Sequence, residues 1–145
     1  MKKNIFLICS GTEDVRLYEP EINNIENKIN KIFYIIRNSD DAKIISSDVS
    51  KAEEIAKIIS NKLGTTYETS KFLQYQNRAH DELSAYELIR DTMAETVLVV
   101  THKDYIEPLI LRIARQHGLS LCYDVEPKED QIISLNLREK EMKIY

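Results

Sequence analysis

The chain has 145 residues, of which 43% are hydrophobic and 30% are charged. A chain of this length buries its own core without disulfides or metals, so we expect residues 1–145 to form a single domain. The formal net charge of −4 argues against the basic face that a nucleic-acid-binding domain needs, and no nucleic-acid partner is expected.

The first segment and the cysteines bear on where the protein resides. Residues 5–9 form only five consecutive apolar positions, which is too short for a signal-peptide core, and no run approaches the length of a membrane span. Cys9 and Cys122 both lie in apolar runs typical of strands, and no Cys-x-x-Cys motif or Cys/His cluster is present. We therefore expect a cytoplasmic protein with reduced thiols, no metal site and no membrane association.

Three short segments with apolar centres, over residues 5–9, 43–47 and 96–101, are predicted to be strands buried on both faces of a sheet. Each is followed by apolar residues at the three- and four-residue spacing of an amphipathic helix. These helical positions are Ile22, Ile25, Ile29, Ile32, Phe33 and Ile36; Ala52, Ile55, Ala56, Ile59 and Leu63; and Ile106, Leu109, Ile110, Ile113 and Ala114. Gly64 and Gly118 follow the second and third helices, where left-handed C-caps are common.

The remaining elements are predicted from shorter patterns. A further helix is expected over residues 83–93, and residues 131–137 and 141–145 are expected to be two closing strands. Asp104 and Glu107 have the spacing of a capping box for the helix after the third strand. Alternation of strands and helices predicts a mostly parallel sheet with helices on both faces, a three-layer α/β/α sandwich.

Ligands of such sheets bind at the carboxyl ends of the strands, and the residues there follow three motifs. The first reads Leu-Ile-Cys-Ser-Gly-Thr over residues 7–12, the second Ser-Ser-Asp-Val-Ser-Lys-Ala-Glu-Glu-Ile-Ala over residues 46–56, and the third Val-Leu-Val-Val-Thr-His over residues 97–102. On these motifs nearly the whole chain resembles the histidine phosphatase (phosphoglycerate mutase-like) superfamily, and its length is similar to that of the short phosphohistidine phosphatases. The resemblance implies a phosphoglycerate mutase-like fold with no metal and no organic cofactor.

The residues that carry the family's chemistry are mostly replaced. The resemblance implies a phosphorylated histidine where this chain has Ser10, an arginine at Cys9 and a second arginine at Lys51, whereas His102 is unchanged. The general acid of the family is implied to come from residues 67–82. The candidates there are Glu68, Asp81 and Glu82.

Phosphoryl transfer needs positive charge around the phosphoryl oxygens and an in-line nucleophile. Ser10 cannot form phosphohistidine, and Cys9 carries no positive charge to bind the phosphoryl oxygens. Lys51 offers a single ammonium charge in place of the bidentate guanidinium of an arginine. We therefore interpret the chain as a degenerate relative, a pseudophosphatase that acts as a binding or interaction module for a small anionic ligand or a protein partner. Its remnant pocket is predicted to consist of Cys9, Ser10, Gly11, Thr12, Lys51 and His102, none of which is assigned a catalytic role.

Two other functions stay open. One is an enzyme, a phosphatase or another hydrolase, whose rebuilt site uses His102 with Ser10 or Lys51. The other is a structural subunit that acts through its surface. Each pocket residue also has a structural interpretation: Cys9 as a small buried hydrophobe, Ser10 and Thr12 as loop or cap hydrogen-bonders, Lys51 as a solvated first-turn lysine, and His102 as a cap of the next helix.

Overall fold

The structure is a computed structural model that describes residues 4–10, 19–37, 41–74, 79–120, 128 and 131–145. One six-stranded sheet, in the order β3-β2-β4-β1-β5-β6, runs through it. Its strands are β1 (Asn4–Ser10), β2 (Ala42–Ser47), β3 (Tyr67–Ser70), β4 (Thr96–His102), β5 (Ile132–Asn136) and β6 (Glu141–Ile144). The first four strands pair in parallel, whereas β5 pairs antiparallel with both β1 and β6.

Helices cover both faces of this sheet. The helices are α1 (Glu19–Arg37), α2 (Ser50–Leu63), α3 (Ala79–Asp91) and α4 (Lys103–His117), and a 3₁₀ turn at Lys71–Leu73 precedes α3. Right-handed crossovers account for the layers. The chain moves from β1 to β2 to β3 in one direction, which puts α1 and α2 on one face, and it turns back to β4, which puts α3 on the other face. Helix α4, which leads to the antiparallel strand β5, lies on the same face as α3. The predicted three-layer sandwich is confirmed.

The core lies on both sides of the central strands. In β1, Ile5 and Leu7 face α3 and α4, while Phe6 and Ile8 face α1 and α2, and all four are buried. This two-sided burial explains why the strand is a continuous apolar run and not an alternating one. Full burial of each such side chain contributes about 1.5–3 kcal/mol to the stability of the folded state. The buried central strands therefore fix the positions of the residues at their carboxyl ends.

Two helices end as the sequence predicts. Gly64 and Gly118 have φ angles of 68° and 69°, in the left-handed region that glycine adopts without steric cost. The Gly64 N–H donates to the Ser60 carbonyl, and the Gly118 N–H donates to the Ala114 carbonyl. Both glycines therefore satisfy helix carbonyls that would otherwise lack a partner.

Other expectations about the helices are wrong. Asp104 and Glu107 do not form a capping box, because α4 begins at Lys103 and its N-cap residue is His102, which makes no side-chain cap bond. The strand continues without a loop into the helix, so Asp104 already lies in the first turn, where its charge favours the helix dipole. Helix α3 begins and ends earlier than residues 83–93, and at its end Thr92 Oγ1 donates back to the Leu88 carbonyl at 2.7 Å.

Strand β3 was not predicted, because it is short and polar and pairs with β2 at the end of the sheet. The two closing strands are present, within one residue of the predicted bounds. Cys122 lies outside the described residues. In the part of the chain that the structure describes, no helix has both the length and the apolar character of a membrane span.

Candidate functional site

The carboxyl ends of three strands meet at one edge of the sheet. Ser10 at the end of β1 and His102 at the end of β4 are direct register partners, so their backbones are about 4.8 Å apart, the spacing of neighbouring strands. Strand β2 pairs with the other side of β4 and ends at Ser47. Ser10, Ser47 and His102 are all buried, so three polar side chains stand together at this edge.

His102 is joined to β2. Its Nε2 lies 2.8 Å from Ser47 Oγ, and the same oxygen accepts a hydrogen bond from the Val49 N–H at 3.3 Å. The Ser47 hydroxyl thus connects the end of β4 to the segment that starts α2. The expectation that the His102 side chain caps α4 is wrong, because the ring bonds to the neighbouring strand and makes no cap bond to its own helix.

Lys51 is not the solvated lysine that was expected. It lies in the first turn of α2, is 6% exposed, and places its Nζ 3.1 Å from Glu21 Oε2 in the first turn of α1. Because α1 and α2 pack side by side on one face of the sheet, their first turns meet, and the aliphatic stem of the lysine is covered. The carboxylate supplies the counter-charge that a buried ammonium needs.

Cys9 and Thr101 form the layer below these residues and are register partners. Cys9 is fully buried in the core between the sheet, α3 and α4, as expected for a small hydrophobe. Thr101 Oγ1 donates to the Leu73 carbonyl at 2.6 Å, which fastens the 3₁₀ turn to the end of β4. The segment before α3 is therefore anchored at the same edge as the three strand ends.

Of the other candidates, only Glu68 has a side chain among the described residues. Gly11 and Thr12 lie outside the described residues, as do the side chains of Asp81 and Glu82. Glu68 is exposed, pairs in register with Ile45 two positions before the end of β3, and lines a groove toward the amino end of β2. Its position does not favour it as a general acid for this site.

Two partnerships at the site were missed from the sequence. Glu19, Pro20 and Glu21 have the composition of a helix start, which indicates a carboxylate near this edge but not its contact with Lys51. Ser47 was recognised as part of a motif without its bond to His102. Among the residues that the structure describes, no group of three or more His, Cys, Asp or Glu side chains is placed to hold a metal ion.

No protein-family model and no curated protein matches the sequence, but the fold of this chain is similar to that of several solved structures. A protein assigned as the phosphohistidine phosphatase SixA from Agrobacterium tumefaciens has a TM-score of 0.70 at 13% identity, over 99% of this chain and 95% of its own. The protein histidine phosphatase SixA complexed with tungstate gives 0.68 at 14% identity, over 98% and 94%. The phosphoglycerate mutase from Plasmodium falciparum gives 0.66 at 20% identity, over 99% and 89%.

Proposed function

We propose that this chain, which has the histidine phosphatase (phosphoglycerate mutase-like) fold, is a pseudophosphatase: a binding or interaction module that lacks phosphohistidine-based catalysis. The fold by itself does not fix the function. The observation that carries the proposal is the pairing at the strand ends. Ser10 stands where the resemblance implies the nucleophilic histidine, and the retained imidazole of His102 bonds Ser47 at 2.8 Å.

The nucleophile is the first part of the argument. A serine attacks a phosphoryl or acyl centre only when a neighbouring base takes its proton. His102 is beside Ser10 in the sheet, but its Nε2 contacts the hydroxyl of Ser47, which is itself tied to the backbone of Val49. This arrangement supports a role for His102 in holding β4 to β2.

The charge at the site is the second part. Of the two positions where the resemblance implies arginine, Cys9 is neutral and lies in the core, and Lys51 is paired with Glu21 at 3.1 Å. Hydrogen bonds to charged groups contribute about 1.5–3 kcal/mol each, and a phosphoryl clamp is built from several of them. The absence of both arginine guanidinium groups supports a site that does not stabilise a transferring phosphoryl group.

The scope of the proposal follows from the fold. One sheet with a core on each face supports our proposal that residues 1–145 act as one domain. A small ligand or a segment of a protein partner at the strand ends is the kind of occupant that suits such a module, since ligands of open α/β sheets bind there. A cytoplasmic location stays a prediction of the sequence.

The second candidate is a hydrolase with a rebuilt site. The observation that favours it is the register pairing of Ser10 with His102, which puts a hydroxyl and an imidazole on adjacent strand ends. In that case His102 would act together with Ser10 or with Lys51. The two functions make opposite predictions for the same assay.

The test measures turnover of phosphohistidine and of a generic phosphomonoester by the wild-type protein, by Ser10→Ala and by His102→Ala. The pseudophosphatase proposal predicts no turnover by any of the three. Wild-type turnover that both substitutions abolish would establish the rebuilt hydrolase instead, because groups that act as a unit fail together. Turnover that survives both substitutions would also contradict the proposal and would place the chemistry on other residues.

A further inference from the structure

We infer that Glu21 sets the charge specificity of the strand-end edge of the sheet: its carboxylate pairs with the ammonium group of Lys51 and thereby excludes phosphoryl groups. The inference rests on the proposed function, because it gives a physical reason why these strand ends would not bind the phosphoryl ligands that the resemblance implies. It concerns binding alone and involves no chemical step.

The position of Lys51 creates a need for a negative charge. Its side chain is 8% exposed, and it lies in the first turn of α2, where the helix dipole is positive and repels a cation. A buried ammonium at the positive end of a helix is stable only with an anion close by. At 3.1 Å from Nζ, Glu21 Oε2 is that anion, at the distance of a charge-assisted hydrogen bond.

Glu21 is well placed to keep this position against a ligand. It lies in the first turn of α1, whose own dipole stabilises a carboxylate, and its side chain is only 21% exposed. The next turns of α1 are fixed by Ile25 and Ile29, which are fully buried against the sheet. The carboxylate is thus held before any ligand arrives, and it loses little freedom on pairing with Lys51.

A phosphoryl group would have to share this lysine with Glu21. A phosphate monoester carries about 1.5 to 2 negative charges at neutral pH, and like charges at close range raise the cost of binding. Removing the charge of Glu21 should therefore turn the first turn of α2 into an anion-binding position. The lysine and the helix dipole would then both favour an incoming oxyanion.

The experiment uses tungstate as the probe, with inorganic phosphate as a second anion, and measures binding by calorimetry and by the shift in thermal unfolding. An anion that binds only the folded state must raise its stability. Wild-type protein is expected to show no saturable binding. Glu21→Gln, which keeps the size of the side chain and removes its charge, is expected to bind tungstate saturably, with an affinity roughly tenfold or more above the upper limit that the wild-type data set, as expected for one charge-assisted contact.

Three control variants test whether the gain in tungstate binding comes from the charge of Glu21 and acts through Lys51. Glu19→Gln removes a charge from the same turn of α1 at an exposed position and is expected to behave as wild type. Glu21→Asp keeps the charge and is expected not to bind tungstate. The double variant Glu21→Gln with Lys51→Met is expected to lose the binding that Glu21→Gln gains.

Two results would overturn the inference. The first is a Glu21→Gln protein that is folded by circular dichroism and still binds no tungstate. The second needs no Glu21 variant: saturable tungstate binding by wild type that disappears in Lys51→Met would mean that the carboxylate does not exclude anions. Either result leaves the pseudophosphatase proposal standing if turnover is absent, whereas wild-type turnover refutes that proposal directly, so the two failures are distinguishable.

Discussion

Replacing Ser47 with alanine tests whether the strand ends are held together by the imidazole of His102. The change removes the oxygen that lies 2.8 Å from His102 Nε2 and accepts from the Val49 N–H. In either tautomer of His102 the bond needs this hydroxyl, because a hydroxyl both donates and accepts. Both side chains are fully buried, and a buried polar atom left without its partner costs about 1–3 kcal/mol. For a domain of this size that corresponds to a loss of about 3 °C in Tm per kcal/mol.

The assay is urea unfolding followed by circular dichroism, with Ser46→Ala as the matched control. Ser46 is equally buried, but its Oγ donates to the carbonyl of the next residue, at 2.7 Å, and does not join two strands. Ser47→Ala is expected to lose clearly more stability than Ser46→Ala and to change the ¹⁵N shifts of the His102 imidazole. Equal losses in the two variants, with unchanged imidazole shifts, would refute the role given to Ser47.

Three further predictions concern stability. Thr101→Val removes the donor to the buried Leu73 carbonyl and is expected to cost about 1–3 kcal/mol, measured by urea unfolding. Gly118→Ala forces a side chain into a backbone with φ of 69° and is expected to cost about 1 kcal/mol, measured as a lower Tm. Burial, and then the hydrogen bond and charge of Glu53, raise the pKa of Tyr67 above 10.0. The folded state therefore holds this proton more tightly than the unfolded chain. The stability that Tyr67 contributes is complete below about pH 10 and is lost as the pH rises through the folded pKa. Above about pH 10, the urea midpoint of Tyr67→Phe is therefore expected to fall less with rising pH than the midpoint of wild type.

Each of these predictions has its own control. Thr92→Val removes a half-buried bond to a carbonyl within α3 and should cost less than Thr101→Val; the reverse order would contradict the role of the 3₁₀ anchor. Gly64 has the same left-handed backbone with no atom within 4 Å of an added Cβ, so Gly64→Ala should match Gly118→Ala. For the tyrosine, identical alkaline profiles of wild type and Tyr67→Phe would contradict the raised pKa.

The layers of the fold were predictable because burial leaves a direct signal in the sequence. A strand covered on both faces reads as a continuous apolar run, as β1 and β4 do, and in β2 the signal is the pair Ile44 and Ile45 followed by two small, buried serines. Strand β3 carries no such signal, since its residues are half-buried or exposed and β2 alone determines its pairing. The start of α4 was misplaced for a related reason: the pattern of Asp104 and Glu107 is local, whereas the end of β4 is fixed by pairing with β1.

The candidate site was predictable as a place but not as a set of contacts. The three motifs put Ser10 and His102 at neighbouring strand ends, and the register has them as partners. The environment of Lys51 was not predictable, because it depends on Glu21 from another helix, and the bond between Ser47 and His102 joins residues 55 positions apart. Such pairings are set by how helices and strands pack, and a single sequence shows only the residues that are available to pair.

The most direct test of the central claim is a search for a phosphoenzyme. The protein is incubated with phosphoramidate, a small phosphoryl donor, and its intact mass is recorded without acid, which preserves phosphohistidine. Because Ser10 replaces the histidine that the resemblance implies and Lys51 is paired with Glu21, we predict that no phosphoryl adduct forms. An adduct on the wild-type protein that disappears in Ser10→Ala or in His102→Ala would contradict the account.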